Sequence, residues 1–173
     1  MSNGFEQGIR KVIPAVLVYL RSGDHILMLH RDSGRPGDDH SGKWNGLGGK
    51  CEIDESSLEA AQREVLEESG LSLPPEKFRS LGVLQFPNFK AHKNEDWLVF
   101  VFTAVLGEND RSAVRPKCNE GSLHWIPRAQ LLELNLWPGD RHFLDYVINE
   151  QPFVGTLWYE GPDVRRVWIQ RLV

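Results

Sequence analysis

The chain has 173 residues, 40% of them hydrophobic and 25% charged, with a formal net charge of -4. That length suits one domain able to bury most of its apolar surface, and the mild acidity gives no overall pull toward nucleic acid or an anionic lipid surface. No apolar run reaches the roughly eighteen residues of a membrane span, and the start MSNGFEQGIRKV lacks the apolar core of a secretory signal, so the expected location is the cytoplasm. Cys51 and Cys118 are the only cysteines; without metal-ligand spacing they predict neither a disulfide framework nor a structural zinc. No repeat or linker-like stretch divides the chain, which reads as one domain over 1–173.

In chain order, VIPAVLVYL (12–20) and HILMLHR (25–31) flank the turn residues SGD and predict a strand pair, with Pro14 marking an edge or a strand start. DSGRPGDDHSGK (32–43) has nothing to bury and predicts a surface loop whose tip is suited to act as a lid. Glycine-rich WNGLGGK (44–50) leads into a helix opened by a capping box, Ser56 with Glu59, and closed by Gly70 as a left-handed C-cap. Leu58, Ala61 and Val65 fall at helical spacing and face the core, while the helix's glutamates occupy a neighbouring sector. RSLGVLQF (79–86) and DWLVFVFTAVL (96–106) predict long strands and SLHWI (122–126) a short one. A helical turn near 127–134, a helix over about 138–149 and a closing hairpin of FVGTLWY and VRRVWIQRL across EGPD complete the chain. Strands outnumber the interspersed helices, which predicts an α/β fold with a mixed sheet covered by helices.

The stretch REVLEESG (63–70) concentrates charge. Glu64, Glu67 and Glu68 lie within an arc of roughly 100°, each like-charged pair costs about 0.2 to 0.5 kcal/mol, and glutamates this late in a helix oppose its macrodipole. A solvated face tolerates such costs, and Arg63 relieves part of them. Alternatively a divalent cation covers the face: Mg²⁺ favours hard oxygen ligands supplied by a few carboxylates and by substrate phosphates. Spacing within the helix leaves both open.

The wider pattern is more specific. Gly49, Glu55, Arg63, Glu64, Val65, Glu67, Glu68, Gly70 and Leu71 match G-x5-E-x7-R-E-U-x-E-E-x-G-U, U being a bulky aliphatic, at every fixed position. The sequence therefore resembles the Nudix hydrolases, which cleave nucleoside diphosphates linked to another moiety, and the resemblance implies a mixed β-sheet sandwiched between α-helices. It further implies Glu64, Glu67 and Glu68 as metal ligands, Mg²⁺ as the ion with Mn²⁺ as an alternative, and the carbonyl of Gly49 in the metal shell. Glu67 or a nearby glutamate would handle the proton of a water. Arg63 and Glu55 would orient the carboxylates through a bidentate bridge.

The resemblance extends past the signature. WNGLGGK, the segment from Glu120 to Trp125, WPGD (137–140) and the C-terminal FVGTLWYEGPDVRRVWIQRLV are similar to the MutT-like oxidised-purine nucleoside triphosphatases of the mammalian type. That likeness implies Glu120 at the metal site with a share in catalysis, Arg31 and Lys50 on phosphates, and Asn45, Trp137 and Asp140 on a base. One departure weakens a preference for 8-oxoguanine: the group has two adjacent aspartates after the proline, and here Gly139 precedes Asp140.

The expected activity is Mg²⁺-dependent hydrolysis of a modified or deoxy purine nucleoside triphosphate to the monophosphate and pyrophosphate, with 8-oxo-dGTP-like nucleotides as the first candidates. Pro87 lies 16 residues beyond the end of the signature, near where the ADP-ribose hydrolases of this superfamily carry a proline, and that resemblance implies an alternative, a pyrophosphatase for ADP-ribose or another nucleoside diphosphate-sugar. An RNA 5′-end pyrophosphohydrolase is a further alternative, which the modest acidity and the lack of a basic stripe in this chain disfavour. A nucleotide-binding sensor without turnover fits poorly with an intact set of signature carboxylates. The expected partner is a small nucleotide substrate, with no membrane or stable nucleic-acid partner, for a monomer or weak dimer.

Overall fold

Strand β1 (Lys11–Ser22) and strand β2 (His25–Arg31) begin as the expected hairpin, paired at Arg21 with Ile26 and at Ser22 with His25. Gly23 turns the corner at a φ of 56°, a conformation that glycine adopts without steric penalty. The strands then part. β2 pairs along its length with β7 (Gly121–Pro127), and β1 runs parallel to β5 (Glu95–Val105) from Lys11 to Arg21. The computed structural model describes residues 10–31 and 42–173; of the loop and lid expected over 32–43, residues 32–41 lie outside the described residues.

The side of β1 that β2 leaves is filled by the glycine-rich segment. Val16 N–H donates to the Gly49 carbonyl at 2.8 Å, Val18 N–H to the Leu47 carbonyl at 2.7 Å, Leu47 N–H back to the Val18 carbonyl at 3.0 Å, and Cys51 N–H to the Pro14 carbonyl at 3.0 Å. The residues of β1 that donate toward this segment are even-numbered, so the N–H that Pro14 lacks falls on the same side, near the strand start. Proline is tolerated there because no ladder bond to β5 is lost.

The sheet order is β6-β7-β2-β1-β5-β4-β8-β9, with β6 (Lys117–Cys118) at one edge and the two-residue β3 (Trp44–Asn45) paired to β2. β4 (Phe78–Lys90) is antiparallel to β5 and parallel to β8 (Phe153–Glu160), which closes the chain as a hairpin with β9 (Asp163–Arg171). Successive residues of β1 and β2 point to opposite faces, and both faces are apolar, as a central strand requires. Val16, Val18, Leu20, Leu27 and Leu29 meet Ala60, Ala61 and Val65 of helix α1 (Ser57–Ser69). Ala15, Tyr19, Ile26 and Met28 meet Phe143, Leu144 and Val147 of helix α3 (Asp140–Ile148). Fully burying one such valine or leucine contributes roughly 1.5–3 kcal/mol. The result is the α/β arrangement expected, a mixed sheet between helices.

Local chemistry sets the ends of α1. Glu59 N–H donates to Ser56 Oγ at 3.2 Å, Ser56 N–H donates to Glu59 Oε2 at 2.8 Å, and Gly70 closes the helix at a φ of 80°. Leu58 is half-buried against the core that Ala61 and Val65 enter fully. Elsewhere the boundaries shift. α3 starts at Asp140, the turn near 127–134 is a 3-10 segment over Arg128–Glu133, and a short helix α2 (Glu108–Ala113) and strand β6 (Lys117–Cys118) had no sequence signal. β4 continues past Phe86 to Lys90 through a register shift that absorbs Pro87 and Asn88, the latter at a φ of 59°.

Candidate active site

Helix α1 carries Glu64, Glu67 and Glu68 in its second half, and their surroundings differ. Glu68 is 4% exposed and Glu64 8% exposed, whereas Glu67 faces solvent. A face expected to be solvated or capped by a cation is therefore folded inward at two of its three positions. The cause is the segment that fills the edge of β1, which lies directly over these carboxylates. Gly48 N–H donates to Glu68 Oε2 at 2.9 Å, and a Cβ on Gly49 would stand 2.2 Å from Glu64 Oε1. At Gly48, with a φ of 147°, a Cβ would stand 2.1 Å from the Val16 carbonyl oxygen. At Gly48 only glycine allows this approach, and at Gly49 any larger residue would have to push the Glu64 carboxylate aside.

Burial raises the Glu68 pKa to about 8, and Glu120 and Glu64 add to the shift against the opposing Gly48 hydrogen bond. Its Oε1 is buried with no hydrogen-bond partner among the described residues. Glu64 is also raised by burial, against the pull of Arg63. Clustered, partly desolvated carboxylates that repel one another fit a hard divalent cation.

Arg63 engages all five of its N–H groups. Nε and Nη2 bridge the two oxygens of Glu55 at 2.8 and 3.0 Å, Nη2 also reaches the Lys50 carbonyl at 3.0 Å, and Nη1 reaches Glu64 Oε1 at 2.7 Å and Glu67 Oε2 at 3.4 Å. The guanidinium holds the Glu55 carboxyl below its usual range. The bidentate bridge expected between Arg63 and Glu55 is present, and it ties the loop to the acidic helix. Across the site Arg31 pairs with Glu120 at 2.5 Å.

Among the described residues no three His, Cys, Asp or Glu side chains form a ready coordination cluster, because Arg63 holds Glu64 and Glu67 while Arg31 holds Glu120. The donors still suit a divalent cation: four carboxylates, one with a buried and unpartnered oxygen, and a Gly49 carbonyl that retains a lone pair after accepting from Val16.

Next to this acidic wall opens a cavity of about 190 Å³. Arg31, Asn45, Gly49, Lys50, Glu120, Trp137 and Asp140, all expected at the site, line it together although they come from separate stretches of chain. Arg63, Glu64, Glu67 and Glu68 do not line it; Arg63 stands behind Lys50, Glu64 behind Gly49 and Glu68 behind Gly48, while Glu67 faces solvent beside Arg63. Asn45 Oδ1 accepts from the Gly46 amide at 3.0 Å, and Lys43 Nζ lies 5.7 Å from the Trp137 ring centroid. Asp140 is buried in the first turn of α3, its Oδ2 has no hydrogen-bond partner among the described residues, and burial raises its pKa to about 7.

Beside aliphatic residues of β1 and β5, the wall carries an aromatic cluster that was not read from the sequence. Phe89 sits at the centre of a ring cluster, 5.6 Å from Phe86, 5.2 Å from Trp97 and 5.0 Å from Tyr159. Lys90 joins them. The available signal was a proline between two phenylalanines in a strand-like run, which marks a bulge.

Carboxylates on one wall and cations on the next are what a polyphosphate with its counter-cation demands, so fold and site together define a hydrolase of phosphorylated nucleotide derivatives. A NUDIX domain model matches residues 11–147, and the chain belongs to that family, whose members generally use divalent metal ions. It is 29% identical over 124 residues to the mouse "Oxidized purine nucleoside triphosphate hydrolase", covering 71% of this chain and 74% of that protein. It is also 29% identical over 144 residues to "Uncharacterized Nudix hydrolase YvcI" of Bacillus subtilis (strain 168), covering 81% of this chain and 82% of that one. Among solved structures, a MutT protein from Bacillus halodurans superposes with a TM-score of 0.74 at 25% identity, over 91% of this chain and 97% of that chain. Among the described residues no helix is long and apolar enough to cross a membrane.

Proposed function

We propose that the protein hydrolyses a modified or deoxy purine nucleoside triphosphate to the monophosphate and pyrophosphate, with Mg²⁺ as the working ion and 8-oxo-dGTP-like nucleotides as the first candidates. The observation that carries this reading is the single cavity in which Asn45, Trp137 and Asp140 stand beside Arg31, Lys50 and Glu120, next to the acidic wall of α1. A divalent cation held by Glu64, Glu67, Glu68, Glu120 and the Gly49 carbonyl would neutralise phosphate oxygens and lower the pKa of an attacking water.

The chain's own groups supply the rest. Arg63, fixed by Glu55, sets the directions of Glu64 and Glu67. Glu67, the exposed member of the set, accepts the proton of the attacking water. Arg31 and Lys50 bind phosphate oxygens, and the burial of Glu64 and Glu68 keeps bulk water from screening them. Trp137 offers a ring for base stacking. Asp140, close to half-protonated near neutrality, donates or accepts at the base edge, and Asn45 completes the contact from β3. The relatives' names support a purine triphosphate, and Gly139 leaves the oxidation state of the base open within that class.

The test is a panel of oxidised, canonical and sugar-linked nucleotides ranked by kcat/KM with Mg²⁺ and with Mn²⁺. A triphosphate should head the ranking. If ADP-ribose outranks every triphosphate the reading fails, and tight nucleotide binding without metal-dependent turnover would make the protein a sensor.

A further inference from the structure

Trp97 on β5 has two ammonium groups against its ring: Lys50 Nζ lies 5.4 Å from the centroid and Lys90 Nζ 4.9 Å. All three residues line the cavity. One lysine on an aromatic face is an ordinary cation–π contact. A second at the same ring adds like-charge repulsion, felt most by the half-buried Lys90 while Lys50 stays exposed, and the shared ring quadrupole offsets little of it.

Among the described residues neither ammonium has a hydrogen bond or an ion pair. The carboxylate that acts on Lys90 is Glu95, whose Oε2 already accepts from Trp97 Nε1 at 3.4 Å. Lys93 adds a third positive charge. Burial, then Lys50, then Lys93, lower the Lys90 pKa, as expected of a cation whose counter-ion is missing. The cluster stands close to the acidic wall, because Lys50 directly follows Gly49, whose Cα abuts Glu64.

We propose that Lys90 and Lys50, held at the ring of Trp97, form a subsite for a phosphoryl group of the substrate's polyphosphate chain, beyond the group held at the acidic wall. The inference rests on the triphosphate reading above and extends it: Lys90 is a substrate-binding residue and Trp97 a positioning residue that fixes both amines. Together they make the site prefer longer phosphate chains over a monophosphate.

The charge is removed from Lys90 in two ways, Lys90→Met and Lys90→Gln, and retained in Lys90→Arg. Lys77→Met, at an exposed position just before the opposite end of β4, controls for net charge. Each folded variant is assayed for triphosphate hydrolysis with Mg²⁺, and by calorimetry for binding of inorganic tripolyphosphate and of a nucleoside monophosphate. Loss of one charge-assisted hydrogen bond corresponds to about tenfold or more. The neutral variants should raise KM for the triphosphate and weaken tripolyphosphate binding by about that factor, with monophosphate binding unchanged. Lys90→Arg, which keeps the charge, should recover most of the tripolyphosphate binding that the neutral variants lose, and Lys77→Met should behave as wild type.

Undiminished tripolyphosphate binding in the neutral variants, or an equal loss for the monophosphate, overturns the subsite. The calorimetric arm needs no turnover. If the wild type hydrolyses no triphosphate while the neutral variants still lose tripolyphosphate, the functional reading falls and the subsite stands.

Discussion

The Tyr159 hydroxyl and a side chain at position 139 exclude one another: a Cβ built on Gly139 would stand 2.0 Å from Tyr159 Oη and 3.2 Å from Cζ. Gly139 has an ordinary φ of -65°, so space rather than backbone conformation requires glycine there. The volume that the first of two adjacent aspartates would enter is taken by a phenol. Gly139→Ala should displace Tyr159 and destabilise the protein by about 1–3 kcal/mol, and Tyr159→Phe, which deletes Oη, should recover part of that loss. Urea denaturation of both single variants and the double variant should give a favourable coupling of about 1 kcal/mol. Additive effects would mean that the phenol does not occupy this space.

Arg63→Lys should behave as a severe change despite keeping its charge. An ammonium has three donors and no planar fork, so it cannot bridge both oxygens of Glu55 while reaching Glu64, Glu67 and the Lys50 carbonyl. A stability loss of about 2 kcal/mol is expected, with kcat/KM lower by roughly 10- to 100-fold because the carboxylates lose their orientation. Chemical denaturation and steady-state kinetics check the two effects separately. Wild-type kinetics in Arg63→Lys would remove Arg63 from the site's architecture.

Glu68→Gln separates stability from function. The amide oxygen can still accept from Gly48 N–H, while a carboxyl that near neutrality must either take up a proton or stay charged beside Glu64 and Glu120 disappears. The metal-free variant should gain about 1 kcal/mol of stability and lose activity by roughly a hundredfold or more. Thermal denaturation in a chelator, set beside turnover in Mg²⁺, reads both. A variant less stable than wild type without metal would show that the buried carboxyl is not the strained feature.

Asp140 sets a pH trend. Its folded pKa of about 7 lies above the ordinary 3.8, so between those values the folded chain keeps a proton that the unfolded chain has released. This contribution to stability is fully present below the unfolded value and is lost as pH rises through the folded one. Asp140→Asn, a neutral isostere, lacks that dependence. The Tm of the variant relative to wild type should climb from about pH 4 to about pH 7 and level off above. A flat difference would place Asp140 in a solvated setting.

The parts of the fold legible in the sequence are those set by neighbours in the chain. Ser56, Glu59 and Gly70 fix both ends of α1 through bonds spanning a few residues, and the turn at Gly23 needs only its own backbone freedom. The cation-to-acid pattern of α1 was legible as spacing. The burial of Glu64 and Glu68 was not, because the segment that covers them comes from outside the helix. The continuation of β4 past Phe86 was hidden because Pro87 and Asn88 normally end a strand, and only the pairing of Lys90 with Glu95 across a bulge carries it on. Tyr159 reaches the cavity from β8, far along the chain from β4 and β5, and Lys90 and Trp97 meet across the bulged end of the β4–β5 pair, which no spacing rule marks.

Residues 47–51 stand in for a missing neighbour of β1, so the floor of the site is stitched into the middle of the sheet. It cannot lift toward an incoming molecule without tearing the two amide bonds given by Val16 and Val18. Deuterium uptake at those amides therefore times any such lifting, and it should be as slow as global unfolding. Accommodation of differently shaped guests is then left to the opposite rim, where the kinked end of β4 hangs from fewer ladder bonds.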